Sequence, residues 1–523
     1  MSATEQCAGG STLTPLQVRV LLATAALSSS VGLVLELMLV TQASYLLGDA
    51  ALATGVVIGS FLAAMGLGAW LSQFITGGAQ PQQALLRSFL LVELCLAPLC
   101  LLAPLALFAL FSADGPVWLA LVVFTLLVGV LGGMEVPLLT RLLETQQHLR
   151  KALARVLALD YFGALVGSLL FPLLLLPWFG LLPTAALLAL IPLANSALLC
   201  WLFPVCRRWR WPLTIAWPLA ALGASLVVPL GDRIEDSLYD DPVVGRQQTR
   251  HQRFVLTRRS NDLRLFLDGN LQFSSLDEYR YHEALVHPAL ALHPRPRLVL
   301  VLGAGDGLAV REVLRWPSIT RIDLVELDGE MLRLARRHPI LRRLNGGSLD
   351  NPRVHVHVGD HVGDAFQLVR RLEGRFDVVI ADFPDPATAP LARLYSVTFY
   401  RRLLGRLAPD GLLVTQASTP FFAPKVMASI RATLAELHLH NRPYSVDVPS
   451  FGPWGFVIAH RPGLTLNARA LPFRGRWIDD AQLQRLFSLP RDLQPPANQT
   501  VLPNRLSRPV LADYQRQGIW RQN

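Results

Sequence analysis

The sequence predicts a multi-span α-helical membrane domain, followed by an α/β Rossmann-like domain with a small N-terminal β subdomain. Two observations support this fold class. The 523 residues are 52% hydrophobic and 16% charged, against roughly a quarter charged in average soluble domains, and nearly all of the apolar excess precedes residue 231. After that point, short apolar runs alternate with helical patterns, which is typical of a parallel sheet covered by helices on both faces.

Seven apolar runs in the first part are long enough to cross about 30 Å of hydrocarbon. We expect these spans at Val18–Leu46, Ala51–Ile75, Leu85–Phe111, Val117–Leu139, Val156–Leu176, Pro183–Phe203 and Pro212–Leu230. Gly180 should form a tight hairpin between the fifth and sixth spans. The pairs Gly55/Gly59 and Gly163/Gly167 should let helices approach closely. Residues 1–17, the N-terminal tail, lack the features of a signal peptide, so the first span should be retained.

Four acids lie inside or near the ends of these spans: Glu36, Glu93, Glu135 and Asp160. An unpaired carboxylate there costs on the order of 2.5–3.5 kcal/mol on insertion scales. Two interpretations stay open. The acids are either protonated and hydrogen-bonded between helices, or they form a cation path or binding site for the substrate or product of the soluble domain.

Charge and cysteine usage narrow the function classes. The net charge of +10 comes mostly from arginine after residue 231 and suits an anionic membrane surface. Nucleic acid is not an expected partner, since no basic helix carries interleaved aromatic residues. The histidines show no ligand spacing, and all five cysteines precede residue 231: Cys7, Cys95, Cys100, Cys200 and Cys206. The sequence therefore predicts neither a metal site nor a disulfide framework in the soluble part.

The soluble part divides into four predicted segments: a linker at 231–245 after the membrane domain at 18–230, a β subdomain with a helix at 246–294, the Rossmann-like domain at 295–462 and a C-terminal tail at 463–523. The subdomain should contain strands Gln252–Thr257, Leu263–Leu267 and Leu271–Ser274 and the helix Asp277–His287. The main sheet should contain strands Leu298–Leu302, Ile322–Val325, Val354–Val358, Phe376–Ala381 and Gly411–Gln416, closed by Val446–Val448 and Gly455–Ala459.

Acidic residues follow four of the predicted parallel strands: Asp306, Glu326, Asp360 and Asp382, with Asp385 beside the last. Ligands of such sheets bind beyond the carboxyl ends of the strands, so these carboxylates should share one edge. The glycines of Gly303–Gly307 would let a nucleoside approach the backbone closely. The predicted site is therefore an acidic one that attracts a cationic ligand.

From Gln252 to about Ala459, the chain resembles the polyamine aminopropyltransferases, of which spermidine synthase is the type member. A glycine loop alone is weak evidence, whereas DGxxQ, DExxYHE and DxxDP in this order are specific. The membrane part, with Gly133–Pro137, is similar to the membrane-bound branch of that family. The matching segments are Gln252-Arg253, Leu267–Gln272, Asp277–Glu283, Gly303–Gly307, Val325–Asp328, Gly359-Asp360 and Asp382–Pro386.

The resemblance implies a methyltransferase-type Rossmann fold and an aminopropyl transfer from decarboxylated S-adenosylmethionine to an amine, usually putrescine. The products would be spermidine and methylthioadenosine, and the donor would be a co-substrate, with no prosthetic group. Its sulfonium is a good leaving group, so no metal is needed. An alkylamine resembles lysine, whose pKa is near 10.4, so it arrives protonated and a base must take its proton.

The resemblance also assigns roles to individual residues. Asp382 would be the general base. The amines would be bound by His282, Asp306, Asp385, Tyr281 and Gln272. Donor or methylthioadenosine would be bound by Gln252, Gly303, Gly305, Glu326, Asp360 and His361. A dimer or larger homo-oligomer is implied as well.

Some positions depart from the family pattern. Phe383-Pro384 stands where the family usually has a Ser or Thr pair, and Ala387–Pro390 replaces a Gly-Pro-Ala run. Phe451 replaces a tyrosine of the late acceptor-binding loop, with Trp454 nearby. These changes leave the acceptor open and favour a longer or less polar amine.

Two other functions stay open: an S-adenosylmethionine-dependent methyltransferase, and a membrane polyamine sensor or transporter without turnover. Intact S-adenosylmethionine carries a carboxylate, which Asp306, Asp382 and Asp385 would repel. The presence of all the acids favours catalysis over sensing.

The charge rule does not fix the orientation in the membrane. Basic loops at 141–155 and 207–210 should both face the cytoplasm, which with seven spans places the soluble part outside. The segment after the last span is also rich in arginine. We expect a multi-pass protein of the cell membrane with its soluble part in the cytoplasm, because the implied donor is an intracellular metabolite.

Overall fold

The computed structural model describes residues 13–47, 50–75, 81–113, 115–144, 148–249, 251–359, 365–494 and 501–518. The chain divides into two compact units, Met1–Asp240 and Asp241–Asn523, with the boundary inside the predicted linker. Regular structure extends into that linker from both sides. The last helix of the first unit ends at Asp236, and the first strand of the second unit begins at Val243.

Helices form the first unit. Seven are long, at Pro15–Leu47, Ala50–Ser72, Pro81–Ser112, Val117–Glu144, Leu149–Leu170, Leu181–Leu202 and Arg210–Asp236 in the described residues, and a short one lies at Leu176–Phe179. Six stretches within the described residues are long and apolar enough to cross a membrane: Pro15–Leu46, Leu52–Ser72, Pro81–Ser112, Val117–Glu144, Leu149–Phe179 and Leu181–Leu202. The seventh predicted span lies in Arg210–Asp236, which is not among these six. Some of its side chains lie outside the described residues, so a seventh crossing stays a prediction.

Glycines allow close helix contacts at one of the two predicted pairs. A Cβ on Gly163 would lie 2.0 Å from the carbonyl oxygen of Ala26, and one on Gly167 would lie 2.7 Å from that of Ser30. The prediction for Gly55/Gly59 was wrong within the described residues, where a Cβ at either position meets nothing within 4 Å. The small-xxx-small spacing is common, and neighbouring helices decide which pair is used.

Three of the four predicted membrane acids are buried, and Asp160 is half-buried. Glu36, Glu93 and Glu135 are 7%, 0% and 5% exposed. Glu93 accepts a hydrogen bond from Ser28 and a weaker one from Asn195 at 3.4 Å. Among the described residues, one oxygen each of Glu93 and Glu135 has no hydrogen-bond partner. These contacts are compatible with both interpretations of the membrane acids.

The glycine contacts can be tested with one matched pair of variants. We expect Gly163→Ala to lower the melting temperature of the full chain in detergent, because the new methyl group would overlap the Ala26 carbonyl, a strain of about 1–3 kcal/mol. Gly55→Ala should leave it unchanged or raise it, since Ala favours helix and that site is open. Equal melting temperatures for the two variants would contradict this packing.

The described part of the second unit contains eleven strands in two sheets: β1 Val243–Gln248, β2 Arg253–Arg259, β3 Asp262–Leu267, β4 Asn270–Ser274, β5 Leu298–Gly303, β6 Arg321–Glu326, β7 Val354–Val358, β8 Phe376–Asp382, β9 Leu407–Gln416, β10 His440–Val448 and β11 Gly452–His460. Strands β1–β4 form an antiparallel sheet in chain order. The larger sheet has the order β10-β11-β9-β8-β5-β6-β7. Its β5–β9 strands pair in parallel, while β10 and β11 are antiparallel. The predicted Rossmann-like class is confirmed, and strand β1 was not predicted.

Alternating side chains of the central strands enter two apolar cores, one on each face of the larger sheet. Val299, Val301 and Ile380 belong to the core that includes the helix Glu278–Leu292. The opposite core contains Leu300 and Leu302. This two-sided burial leaves the carboxyl ends of the strands as the accessible edge. The helices of this unit are Glu278–Leu292, Leu308–Leu314, Gly329–Arg337, Pro339–Leu344, Ala365–Leu368, Ala389–Ala392, Val397–Leu404, Pro424–Ala435, Asp480–Arg485 and Val510–Arg516.

Candidate active site

The loop after β5 lies directly against the end of β8. Gly303 pairs with Asp382 in the parallel register and has a φ of +79°, in the region that favours glycine. A Cβ at Gly303 would lie 2.1 Å from the carbonyl oxygen of Asp382. The glycine is therefore required by the close approach of two backbones, which brings the glycine loop beside the predicted base.

Glu326 ends β6 and places its carboxylate against the same loop. A Cβ on Gly305 would lie 2.5 Å from its Oε2 atom, and the backbone N–H of Asp328 donates to its Oε1 at 3.0 Å. Burial raises the pKa of Glu326 to about 7, helped by the charges of Asp328 and Asp306 and opposed by backbone hydrogen bonds. A neutral ligand with hydroxyl donors would suit this carboxylate.

His282 is a buried cation among carboxylates. Its Nδ1 atom lies 2.9 Å from a carboxylate oxygen of Glu278. Burial disfavours the charged ring, but the bond to Glu278 and the charges of Asp306 and Asp382 outweigh it and raise the pKa of His282 to about 9. At neutral pH the charged ring therefore offers hydrogen-bond donors and no acceptor.

Arg311 completes the support of that cation. Its guanidinium donates to both oxygens of Glu278 at 2.9 and 3.0 Å. Glu278 is fully buried, and its pKa is lowered against the effect of burial first by the hydrogen bond and charge of His282 and then by those of Arg311. A chain of alternating charges thus runs from Arg311 through Glu278 to His282.

Asp306 and Asp382 form the acidic centre of the site, 4% and 5% exposed. Asp306 accepts from the backbone N–H of Leu308 at 2.9 Å, and burial raises its pKa against the opposing charge of His282. Asp382 accepts from the hydroxyl of Tyr281 at 2.6 Å. Burial raises the pKa of Asp382 to about 6, although the charge of His282 and the Tyr281 bond lower it.

Asp385 lies in a separate hydrogen-bond network. Its Oδ2 atom accepts from Ser418 at 3.0 Å and from Gln515 at 2.8 Å, and its Oδ1 atom lies 3.4 Å from the amide of Gln416. Burial raises the pKa of Asp385 to about 6, with these donors opposing it.

The other predicted site residues are placed less centrally. The amide of Gln252 donates to Asp328 at 3.2 Å, beside Glu326. Gln272 lies on β4, partly buried. Asp360 and His361 lie outside the described residues, so their expected contacts stay predictions.

Two departures from the family pattern have different consequences in the fold. Phe383 turns into the core against Phe399, with ring centroids 5.6 Å apart. Phe451 instead packs beside Tyr281, with Trp454 completing a wall at centroid distances of 4.9 to 6.3 Å. Within the described residues, the buried indole nitrogen of Trp454 has no hydrogen-bond partner.

Four contributors to the site were not predicted: Gln416, Ser418, Asp328 and Gln515. Gln416 ends β9, so the strand-end pattern that marked the acids could have found it. Asp328 lies within a quoted motif, where it accepts from Thr249 and caps the helix Gly329–Arg337. Ser418 has a φ of 59°, which the sequence does not signal.

A second acidic cluster is a structural network. Ligand atoms of Glu283, His287 and Glu312 lie within 4.8 Å of one another, as in a metal site. Glu283 accepts from three backbone N–H groups of Arg476–Ile478, and Glu312 from Arg311 and Arg315. These bonds balance the negative charge of the cluster and anchor the segment Arg476–Ile478 to the helix Glu278–Leu292.

The main site, in contrast, carries unbalanced negative charge. Among the described residues, no Lys or Arg forms a salt bridge with Asp306, Asp382 or Asp385, and His282 is the cation between the first two. Buried carboxylates without cations are costly. The arrangement therefore favours ligands that bring positive charge.

Comparisons with known proteins agree with this chemistry. Residues 278–465 match the model of the spermine/spermidine synthase domain. The chain is 42% identical to polyamine aminopropyltransferase 1 of Streptomyces coelicolor, covering 95% of this chain and 93% of the relative. It is 39% identical to polyamine aminopropyltransferase of Mycobacterium tuberculosis, covering 99% and 100%.

A crystal structure of spermidine synthase in complex with the transition-state analogue AdoDATO is similar to part of the chain. It has a TM-score of 0.43 and 25% identity, and the match covers 47% of this chain and 85% of that one.

The curated relatives are polyamine aminopropyltransferases, a class of transferases. The chain belongs to the polyamine aminopropyltransferase family and is an enzyme of the spermidine synthase type.

The contribution of the charge chain from Arg311 through Glu278 to His282 can be tested by measuring the stability of the protein. We expect Arg311→Met to lower the free energy of unfolding of the second unit by roughly 3–5 kcal/mol, because the buried carboxylates of Glu278 and Glu312 would both lose a guanidinium partner. The control Arg333→Met breaks an exposed pair with Glu330 and should change it by less than about 1 kcal/mol. Denaturant unfolding of the full chain in detergent, followed by tryptophan fluorescence, measures both. Equal effects would contradict the assigned role of Arg311.

Proposed function

We propose that the enzyme transfers the aminopropyl group of decarboxylated S-adenosylmethionine to putrescine, giving spermidine and methylthioadenosine, with Asp382 as the general base. One observation carries the proposal. Asp306 and Asp382 are buried and Asp385 is half-buried at one sheet edge, without a Lys or Arg partner among the described residues, which suits substrates that supply the missing cations.

The donor is proposed to lie across the glycine loop. Gly303 and Gly305 leave room for the nucleoside, and Glu326 would accept from the ribose hydroxyls. Gln252 would contribute to donor binding indirectly, through the hydrogen bond that its side-chain amide donates to Asp328. Asp360 and His361 would contact the adenine. Asp306 would hold the ammonium of the aminopropyl group.

The reaction is a substitution at carbon. The acceptor nitrogen forms a bond to the methylene carbon next to the sulfonium, and the carbon–sulfur bond breaks with its electron pair going to sulfur. The proton lost by nitrogen passes to Asp382, whose raised pKa favours its acceptance near neutral pH. Asp385 would hold the distal ammonium of the diamine, and Gln272 would line the site.

His282 is proposed to act differently from the amine contact that the sequence implied. An imidazolium donates hydrogen bonds and repels ammonium groups, so its place between Asp306 and Asp382 suits the positioning of these carboxylates. Tyr281 would orient Asp382 through its hydroxyl and contribute an apolar wall for the methylene chain.

We also propose that the second unit lies in the cytoplasm, where this donor is made, and that the enzyme acts as a homo-oligomer in the bilayer. Accessibility of a cysteine introduced at an exposed site of the second unit, probed in intact cells, tests the orientation.

The purified chain incubated with decarboxylated S-adenosylmethionine and putrescine should release methylthioadenosine and spermidine, detected by mass spectrometry. Product formed only with spermidine or a longer amine would replace putrescine as the acceptor. Methyl transfer from S-adenosylmethionine, or amine binding without product, would instead support one of the two other functions.

Asp382→Asn should lower kcat by roughly 100-fold or more, because general base catalysis contributes 10²–10⁴-fold. Binding of methylthioadenosine should persist, since Asp382 lies outside the proposed ribose contacts. Turnover and isothermal titration calorimetry measure the two effects. A kcat close to that of the unchanged enzyme would rule out Asp382 as the base.

The pH profile should report the same carboxylate. The basic form of Asp382 is lost as pH falls through its pKa of about 6, so kcat/KM should decline below that pH. His282→Gln removes a cation that lowers this pKa, and the acidic limb should therefore move to higher pH. An unmoved limb in a folded variant would contradict the coupling of His282 to Asp382.

A further inference from the structure

The C-terminal segment reaches the carboxylate that is proposed to hold the acceptor. Gln515, on the helix Val510–Arg516, donates its amide N–H to Oδ2 of Asp385 at 2.8 Å. The side-chain amide oxygen of Gln515 lies 3.2 Å from the hydroxyl of Ser418. That hydroxyl lies 3.0 Å from the same Oδ2 atom of Asp385. Gln515 lies far outside residues 278–465, which match the synthase domain.

This segment is fixed in place by buried contacts. Leu511 is 0% exposed and belongs to the core under the larger sheet. Asn504, also 0% exposed, donates to the carbonyl of Ala392 at 2.6 Å and accepts from the N–H of Val397 at 2.9 Å. Ala392 and Val397 belong to the chain that follows Asp385 directly. The segment is thus joined to the same substructure that carries the carboxylate.

The two carboxylate oxygens of Asp385 have different hydrogen-bond donors in this network. Oδ2 has Gln515 and Ser418 as donors, whereas Oδ1 has, among the described residues, only the long contact of 3.4 Å from Gln416. A carboxylate oxygen offers two lone-pair sites, so Oδ1 retains capacity for a strong donor. The single hydroxyl proton of Ser418 can serve either Asp385 or Gln515, which lets the network adjust when charge arrives.

We infer that Gln515 is a positioning residue that holds Oδ2 of Asp385, so that Oδ1 receives the distal ammonium of the acceptor amine. The inference rests on the proposed function, in which Asp385 binds that ammonium. It assigns to the C-terminal segment a part of the acceptor site, and so a role in choosing the amine.

The test compares Gln515→Leu with Gln517→Leu in the full chain in detergent. Both replace one glutamine of this segment by an apolar side chain of similar size. Gln517 is exposed and bonds to Lys425, away from Asp385. Putrescine binding is measured by calorimetry with methylthioadenosine bound, together with both KM values and the pH profile.

We expect Gln515→Leu to weaken putrescine binding and raise its KM roughly 10-fold, as for loss of a hydrogen bond to a charged group. The KM of the donor should stay unchanged. The pKa of Asp385, about 6, should rise because a donor to its ionised form is lost. Asp385 must be ionised to bind the ammonium, so the acidic limb of the pH profile of kcat/KM for putrescine should move to higher pH. Gln517→Leu should behave as the unchanged enzyme.

A folded Gln515→Leu variant with unchanged putrescine KM, affinity and acidic limb would overturn this inference and leave the proposed function standing. If the unchanged enzyme neither binds nor converts putrescine, spermidine or a longer diamine, the proposed function fails, and the inference fails with it. Melting temperatures of both variants show that each is folded.

Discussion

The buried ion pair between Arg311 and Glu278 is the interaction on which the acidic site depends. Together with His282 it keeps Glu278 ionised in a fully buried position, and Glu278 in turn stabilises the charged form of His282. Without that imidazolium, Asp306 and Asp382 would lose the positive charge that most lowers the pKa of each. The proposed chemistry needs carboxylates that are negative yet weakly solvated, and this charge chain would provide them before any substrate arrives.

The strand order explains how distant parts of the chain meet at this edge. Strand β5 lies between β6 and β8, so the glycine loop is flanked by Glu326 on one side and Asp382 on the other. The next strand, β9, brings Gln416 toward Asp385. The proposed nucleoside and amine subsites thus follow one another along the sheet, in the order that transfer between two bound substrates would require.

Much of this edge could be predicted because strand ends are local features. An apolar run followed by an acid places Asp306, Glu326 and Asp382 without knowledge of any contact, and the parallel sheet then brings them together. The same rule fits Gln416, which also ends a strand. A pattern defined by acidic residues does not include it, because its side chain is a neutral amide.

Other features depend on packing that no local pattern records. Gln515 reaches Asp385 only because Leu511 and Asn504 dock the end of the chain on the core. Gly55/Gly59 and Gly163/Gly167 share one spacing, and the neighbouring helix alone separates the pair that is used from the pair that is not. The positive charge of His282 follows from the burial of Glu278, which the motif itself does not indicate.

The contact between Gly303 and the Asp382 carbonyl joins the proposed donor loop to the proposed base. Any larger residue at position 303 would push the end of strand β8 away. If these roles hold, selection for a new nucleoside at this loop would also disturb proton removal, so evolutionary change in the enzyme would be easier on the acceptor side. Efforts to redesign the enzyme face the same asymmetry.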